Sequence, residues 1–276
     1  MPSATGFEVR VTSPLLPETR VTRRFAEFKK RGRPGLVAFV TGGDPTPEAF
    51  REILAGLPAA GADVIEIGVP FSDPMADGPS IQLSSQRALK HGVSLRDVLA
   101  EVKRFRKSDT ETPIILMGYF NPIYRYGCEA FARDAAASGV DGVIVVDLPP
   151  EEADELCPAL TAHHLHMIFL TAPTSSDQRL PAILARASGF IYYVSVAGVT
   201  GTKSADEEQV KAAVARLRRH TALPIAVGFG IKTPDAVRTI GRHSDAVVVG
   251  SAIVDVIGQG GTPTQVLAFV RSLATK

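Results

Sequence analysis

Glu66 stands where a carboxylate is least at home. It lies inside the run Asp63-Val-Ile-Glu-Ile-Gly68, whose apolar and β-branched residues predict a buried strand. Val64, Glu66 and Gly68 fall on one face of that strand, and Ile65 and Ile67 on the other. A carboxylate buried there without a partner loses hydration, and its pKa rises. That shift suits a general acid or base working near neutral pH. Pairing with a Lys or Arg would instead make Glu66 a structural residue. The strand runs on into Pro70-Phe-Ser-Asp-Pro-Met-Ala-Asp-Gly78, which brings Asp73 and Asp77. Asp77 could cap a helix starting near Pro79, and Asp73 could form an Asx turn before Pro74. Together with Glu66 the loop supplies acids in different environments, an arrangement that separates pKa values and divides acid from base roles.

Glycine marks three later loops: Ala197-Gly-Val-Thr-Gly201, Gly228-Phe-Gly230 and Gly250-Ser251. Bare backbone N–H groups at such positions can hold a phosphate, although glycine also serves ordinary turns. Phe39, Tyr119, Tyr192 and Phe229 either pack a core or wall a pocket for an apolar aromatic substrate. No HxH or HExxH spacing suggests a metal site. The nine lysines all fall outside the apolar runs, so none is placed for Schiff-base chemistry. His163, His164 and His166 cluster at the start of a run, the end opposite the expected chemistry.

The elements that must position these groups repeat one pattern. Eight short apolar runs occur at 36–41, 63–68, 113–118, 141–147, 165–171, 189–195, 223–228 and 244–250. Helical patterns separate them, for example 47–60, 151–163 and 206–219. Strand–helix alternation implies right-handed βαβ units. Eight such units predict an α/β fold, a single (β/α)8 barrel, whose active site lies at the C-terminal strand ends. An open doubly wound sheet is the alternative, but Thr41-Gly-Gly-Asp44 does not supply its GxGxxG fingerprint. The second and third runs start 50 residues apart, so extra elements are expected in the loop after strand 2, and also in the loop after strand 6. Residues 20–33 hold seven basic groups and one acid, with Val21, Phe25 and Phe28 at helical spacing. They predict an N-terminal helix packing its phenylalanines on the body. Residues 1–19 lack periodicity and form an extension, with the barrel over 20–276.

Composition narrows the class further. The chain has 276 residues, 45% hydrophobic, with 30 Lys and Arg against 29 Asp and Glu. That balance argues against nucleic acid or an anionic membrane as the main partner. Two cysteines, Cys128 and Cys157, exclude a disulfide scaffold and fit a reducing, cytoplasmic setting. No apolar run approaches the length of a membrane span, and no signal-peptide pattern opens the chain.

Glu66-Ile-Gly-Val-Pro-Phe-Ser-Asp-Pro-Met-Ala-Asp-Gly78 closely resembles the signature segment of the tryptophan synthase alpha subunit family. Leu116-Met-Gly-Tyr-Phe-Asn-Pro-Ile123, Ala197-Gly-Val-Thr-Gly201 and Gly228-Phe-Gly-Ile231 resemble the same family, in the same order, over roughly Val21 to Ala274. The resemblance implies a barrel that cleaves indole-3-glycerol phosphate to indole and glyceraldehyde 3-phosphate, with no metal and no cofactor on this chain. By position, Glu66 matches the acid/base, Asp77 the carboxylate facing the indole N–H, and Tyr192 a neighbour of the catalytic Glu. Phe39, Tyr119 and Phe229 match the indole-pocket wall; Gly201, Gly230, Gly250 and Ser251 match the phosphate cradle. Thr200 matches the loop residue that closes on the Asp. The resemblance also implies a beta subunit carrying pyridoxal phosphate, an alpha2beta2 heterotetramer, and Asp73, Pro74 and Asn121 as positions facing that partner.

Three departures stand out. The segment before Arg20 has no counterpart, Val196 replaces an Arg of some members, and Gly118 replaces a larger residue of others. A lyase releasing free indole without a partner, and a non-catalytic regulator of the beta chain, are the alternatives. Another phosphate-binding barrel would share the glycine loops but not the 66–78 segment.

Overall fold

The computed structural model describes residues 16–195, 207–228 and 230–274. Helix α1 (Arg20–Arg31) opens the described chain. Thr19 and Thr22 cap each other's backbone N–H at its start, and Gly32, at φ 63°, ends it. Then follow β1 (Gly35–Thr41), α2 (Pro47–Ala60), β2 (Val64–Gly68), α3 (Pro79–Lys90), α4 (Leu95–Phe105), β3 (Ile114–Gly118), α5 (Phe120–Tyr126), α6 (Cys128–Ser138), β4 (Gly142–Val145) and α7 (Leu156–Ala162). Strand β5 is in two parts, His166–Met167 and Phe169–Thr171. The rest is α8 (Leu180–Arg186), β6 (Ile191–Val194), α9 (Glu207–His220), β7 (Ile225–Gly228), α10 (Pro234–Gly241), β8 (Ala246–Val249), α11 (Ser251–Gly258) and α12 (Pro263–Leu273).

All strand pairings among the described residues are parallel, and β1 joins β8. The two parts of β5 close the ring. The lower part pairs with β4 and the upper with β6, and the Ile168 N–H between them donates to the Val143 carbonyl. One strand changes neighbours halfway because barrel strands are staggered. The eight predicted runs each hold one strand, so the expected (β/α)8 barrel is the observed architecture. The long interval after β2 contains α3 and α4, as its length required. The loop expected to carry extra elements after strand 6 lies outside the described residues over 196–206.

Two cores follow from the two faces of each strand. Outward residues such as Ile65, Ile67, Leu116 and Val247 pack beneath the helices. Inward residues Val37, Val64, Ile115, Ile144, Ile168 and Val248 fill the barrel. The N-terminal helix closes the bottom: Val21, Phe25 and Phe28 join the inward core, and the Phe25 ring stands 5.2 Å from that of Phe190. Its close approach depends on Gly35, where a Cβ would meet the Phe28 ring at 2.2 Å.

The helical pattern over 151–163 resolves into a short 3-10 turn, Pro150–Glu152, followed by α7. Pro158 has no N–H to offer the Asp154 carbonyl, so the helix does not extend back through that turn; within the first turn of α7 the missing N–H breaks no intrahelical bond.

The bottom of the barrel shows how this chain treats its structural acids. Asp63 accepts from the Leu36 N–H and from Arg33, and Asp141 from the Ile114 N–H, Arg20 and Arg106. Asp245 accepts from the Ile225 N–H and Arg218. Each sits just before a strand, tying it to its neighbour, and each has a cationic partner. Arg20 and Arg33 of the basic N-terminal segment are therefore anchors rather than free charge.

Candidate active site

At the opposite end of the barrel Asp44, after β1, is still paired with Arg87, but Glu66 and Asp77 have no such partner among the described residues. Glu66 projects inward from β2, flanked in register by Phe39 on β1 and Ile115 on β3. It is 1% exposed, and its Oε2 has no hydrogen-bond partner among the described residues. No cation among the described residues compensates it; burial and the nearby charge of Asp77 push its pKa up to about 8. A Glu in this state holds its proton at neutral pH, as an acid catalyst must. The structural alternative of a Lys or Arg pair is not what the structure shows among the described residues.

Asp77 comes from the loop between β2 and α3. Gly78, not Asp77, is the N-cap of α3, and no side chain caps that helix. The Asp77 carboxylate instead accepts from the Tyr119 hydroxyl at 3.0 Å. That hydroxyl in turn accepts from the Ala76 N–H at 3.0 Å, and the Tyr119 ring stacks on Phe71 at 5.1 Å. The residue after β3 thus fixes the loop after β2. Burial raises the pKa of Asp77, and the Tyr119 O–H opposes that rise. The sequence marked Tyr119 only as an aromatic wall; its hydroxyl role depends on two loops meeting in space.

Tyr192 projects inward from β6, and burial and the nearby Glu66 hold its hydroxyl firmly protonated. Gly228 on β7 makes room for it, since a Cβ there would meet the Tyr192 oxygen at 2.4 Å. Phe39 lies over Gly68 in the same way, where a Cβ would approach its ring to 2.5 Å. These two glycines let aromatic rings lie flat across the barrel mouth.

A pocket opens here, lined by Phe39, Gly68, Asp77, Met117, Tyr119 and Val146, among others. Met117 and Val146 were not singled out from the sequence. Their signal was the two-residue alternation along β3 and beyond β4, which places them on the same inward face as Ile115 and Ile144. Thr41 and Ser85, both buried, add hydroxyls to the lining.

At the other side of the mouth, Gly250 is the N-cap of α11 and Ser251 its first residue, so unpaired backbone N–H groups face outward there. Gly230 adopts φ 73°, the left-handed region that favours glycine. Thr200, Gly201 and Phe229 lie outside the described residues, as does Val196. Asp73 and Asn121 are exposed and Pro74 is half-buried, in the loop after β2 and at the start of α5. No group of three or more metal-ligating side chains occurs among the described residues. No described helix is long and apolar enough to cross a membrane.

Known proteins share this sequence pattern and fold. The sequence model of the family described as tryptophan synthase alpha chain matches residues 25–274. A solved tryptophan synthase subunit alpha from Legionella pneumophila str. Paris is 39% identical, with TM-score 0.86, covering 94% of this chain and 99% of that one. A chain from Aquifex aeolicus VF5 is 38% identical, with TM-score 0.86, over 93% and 98% of the two chains. A chain of Mycobacterium tuberculosis tryptophan synthase is 35% identical, with TM-score 0.86, over 94% and 98%. With a match across nearly its whole length, this chain belongs to the tryptophan synthase alpha chain family.

Proposed function

We propose that Glu66 and Asp77 carry out the family's lyase reaction on this chain, the retro-aldol cleavage of indole-3-glycerol phosphate to indole and glyceraldehyde 3-phosphate. The observation that carries this reading is a fully buried, uncompensated Glu66 beside a second carboxylate at the barrel mouth. The neutral Glu66 gives its proton to indole C3, and the ring becomes an indolenine. Asp77 accepts a hydrogen bond from the indole N–H and stabilises the positive charge that develops there. Glu66, now a carboxylate, takes the proton of the glycerol hydroxyl next to the ring. That C–O bond becomes the aldehyde, the C–C bond breaks, and its electron pair returns to the ring to restore indole. Glu66 ends protonated, as it began, so the step needs no cofactor from this chain.

Tyr192 shapes the wall beside Glu66, and Phe39 and Tyr119 hold the indole ring; the family resemblance adds Phe229 to that wall. Gly230, Gly250 and Ser251, with Gly201, offer backbone N–H groups to the phosphate. Anchoring the phosphate supplies binding energy remote from the reacting bond and orients it. Thr200 is the loop residue that would close on Asp77, and shielding from water would strengthen every charge interaction inside.

The partner would be a beta subunit carrying pyridoxal phosphate, in an alpha2beta2 assembly in the cytoplasm. Among the described residues the exposed large hydrophobics are Met75, Leu83 and Tyr124. Met75 adjoins Asp73 and Pro74, and Tyr124 lies one turn beyond Asn121. Met75 and Tyr124 beside the positions assigned to the interface support a partner that covers this end of the barrel. The test is indole release from indole-3-glycerol phosphate by the purified chain, with and without a beta subunit. Release that rises on adding the beta subunit is the expected result. Release unchanged by it would leave a stand-alone lyase, and stimulation of the beta subunit without any release would leave a regulator.

A further inference from the structure

A second pocket lies directly behind the first. It has room for about one water-sized group. Its own lining is apolar: Leu95 at the start of α4, Leu116 and Val143 on the outward faces of β3 and β4, Ile123 on α5 and Phe131 on α6. Three residues, Val69, Gly118 and Tyr119, line both pockets.

Gly118 is the weak point of that shared wall. It ends β3, and a Cβ built on it would meet the Val69 Cβ at 3.2 Å and its Cγ2 at 3.7 Å. Any side chain there would lean on Val69 and occupy the space between the pockets. Its φ is outside the left-handed region, so the backbone itself does not demand glycine. With glycine there, residue 118 places no side chain between the two pockets.

The direction of the opening relates to the substrate. The Tyr119 hydroxyl is 3.0 Å from the Asp77 carboxylate. With the indole N–H on Asp77, the nitrogen-side edge of the ring, which carries carbon 7 on the fusion carbon bonded to nitrogen, would face Tyr119 and its neighbour Gly118. We propose that Gly118 is a specificity-determining residue. It opens the indole pocket into an apolar side chamber that receives a small substituent, a methyl or a chlorine, on ring carbon 7 of the substrate. This inference rests on the reading of Asp77 under Proposed function.

The test compares kcat/KM for indole-3-glycerol phosphate and its 7-methyl analogue in the wild-type chain, Gly118→Val and Leu95→Phe. Leu95 lines only the chamber, so its replacement fills the space without entering the indole pocket. The wild-type chain is expected to cleave the two compounds within about ten-fold of each other. The ratio of methylated to parent kcat/KM is expected to fall by at least about ten-fold in both variants, the scale of one methyl group in an apolar pocket. If Gly118→Val does not fold, Leu95→Phe decides alone. Rejection of the methylated compound by the wild-type chain, or an unchanged ratio in the variants, overturns the side chamber while cleavage of the parent upholds the reaction. Failure of the wild-type chain to cleave either compound overturns both.

Discussion

Glu66 and Asp63 are three residues apart on the same strand segment, yet they do opposite work. Asp63 is paired with Arg33 and the Leu36 N–H, while Glu66 has no partner for its Oε2 among the described residues. Glu66 keeps its proton to about pH 8 when folded, against a usual value of 4.5. Below about pH 4.5 its burial carries no ionisation cost; between the two values the folded chain holds a proton that the unfolded chain releases. Stability is therefore lost as pH rises toward about 8. Unfolding by urea should show Glu66→Gln increasingly more stable than wild type from pH 5 to 8, with the difference fading at the acid end. The same group predicts that kcat/KM of the isolated chain falls above about pH 8, as the general acid loses its proton. Tyr119→Phe removes the hydroxyl that holds Asp77 down. The expected result is a loss of about ten-fold in kcat/KM and an acidic limb of the pH profile moved upward. Glu66 was legible in the sequence because a carboxylate breaks the pattern of a buried strand. The Tyr119 hydroxyl was not, because its partners arrive from another loop.

At the scale of elements, the apolar runs announced themselves by β-branching on both faces, and each proved to contain a strand. The spacing of Val21, Phe25 and Phe28 marked α1 as amphipathic, but not which surface it would cover. Only the closed ring provides the bottom opening that those three residues fill. Phe25→Ala should lower unfolding stability by about 3–5 kcal/mol, as expected for a buried aromatic truncated in a packed core, measurable by urea titration at pH 7. A loss under about 1 kcal/mol would mean that α1 is an appendage and not a plug. The division of β5 at Ile168 could not be read from its run, since the change of neighbour reflects stagger around the whole ring. The separation of α5 from α6 at Gly127, where φ is 91°, was likewise unmarked until the turn was seen.

Across the whole molecule, chemistry and stability occupy opposite ends. The bottom holds paired acids, His166 bonded to Thr19, and the aromatic plug. The top holds the uncompensated Glu66, Asp77 with its tyrosine, glycines that admit aromatic rings, and exposed Met75 and Tyr124. This polarity follows from the barrel, whose loops after the strands are free to vary while the strand starts hold the ring together. Alternation of strand and helix disclosed that polarity in advance, and the resemblance over 66–78 named the reaction. The pocket wall shared with the apolar chamber was not visible, because Gly118 and Val69 meet only across neighbouring strands. The central claim is that Glu66 is the acid and base of C–C cleavage. Its most direct test is the rate of indole release from indole-3-glycerol phosphate by the wild-type chain and by Glu66→Gln, both shown to be folded. The account predicts steady release by wild type and a rate lower by about 10²–10⁴-fold in Glu66→Gln. A Glu66→Gln rate within a few-fold of wild type would contradict it.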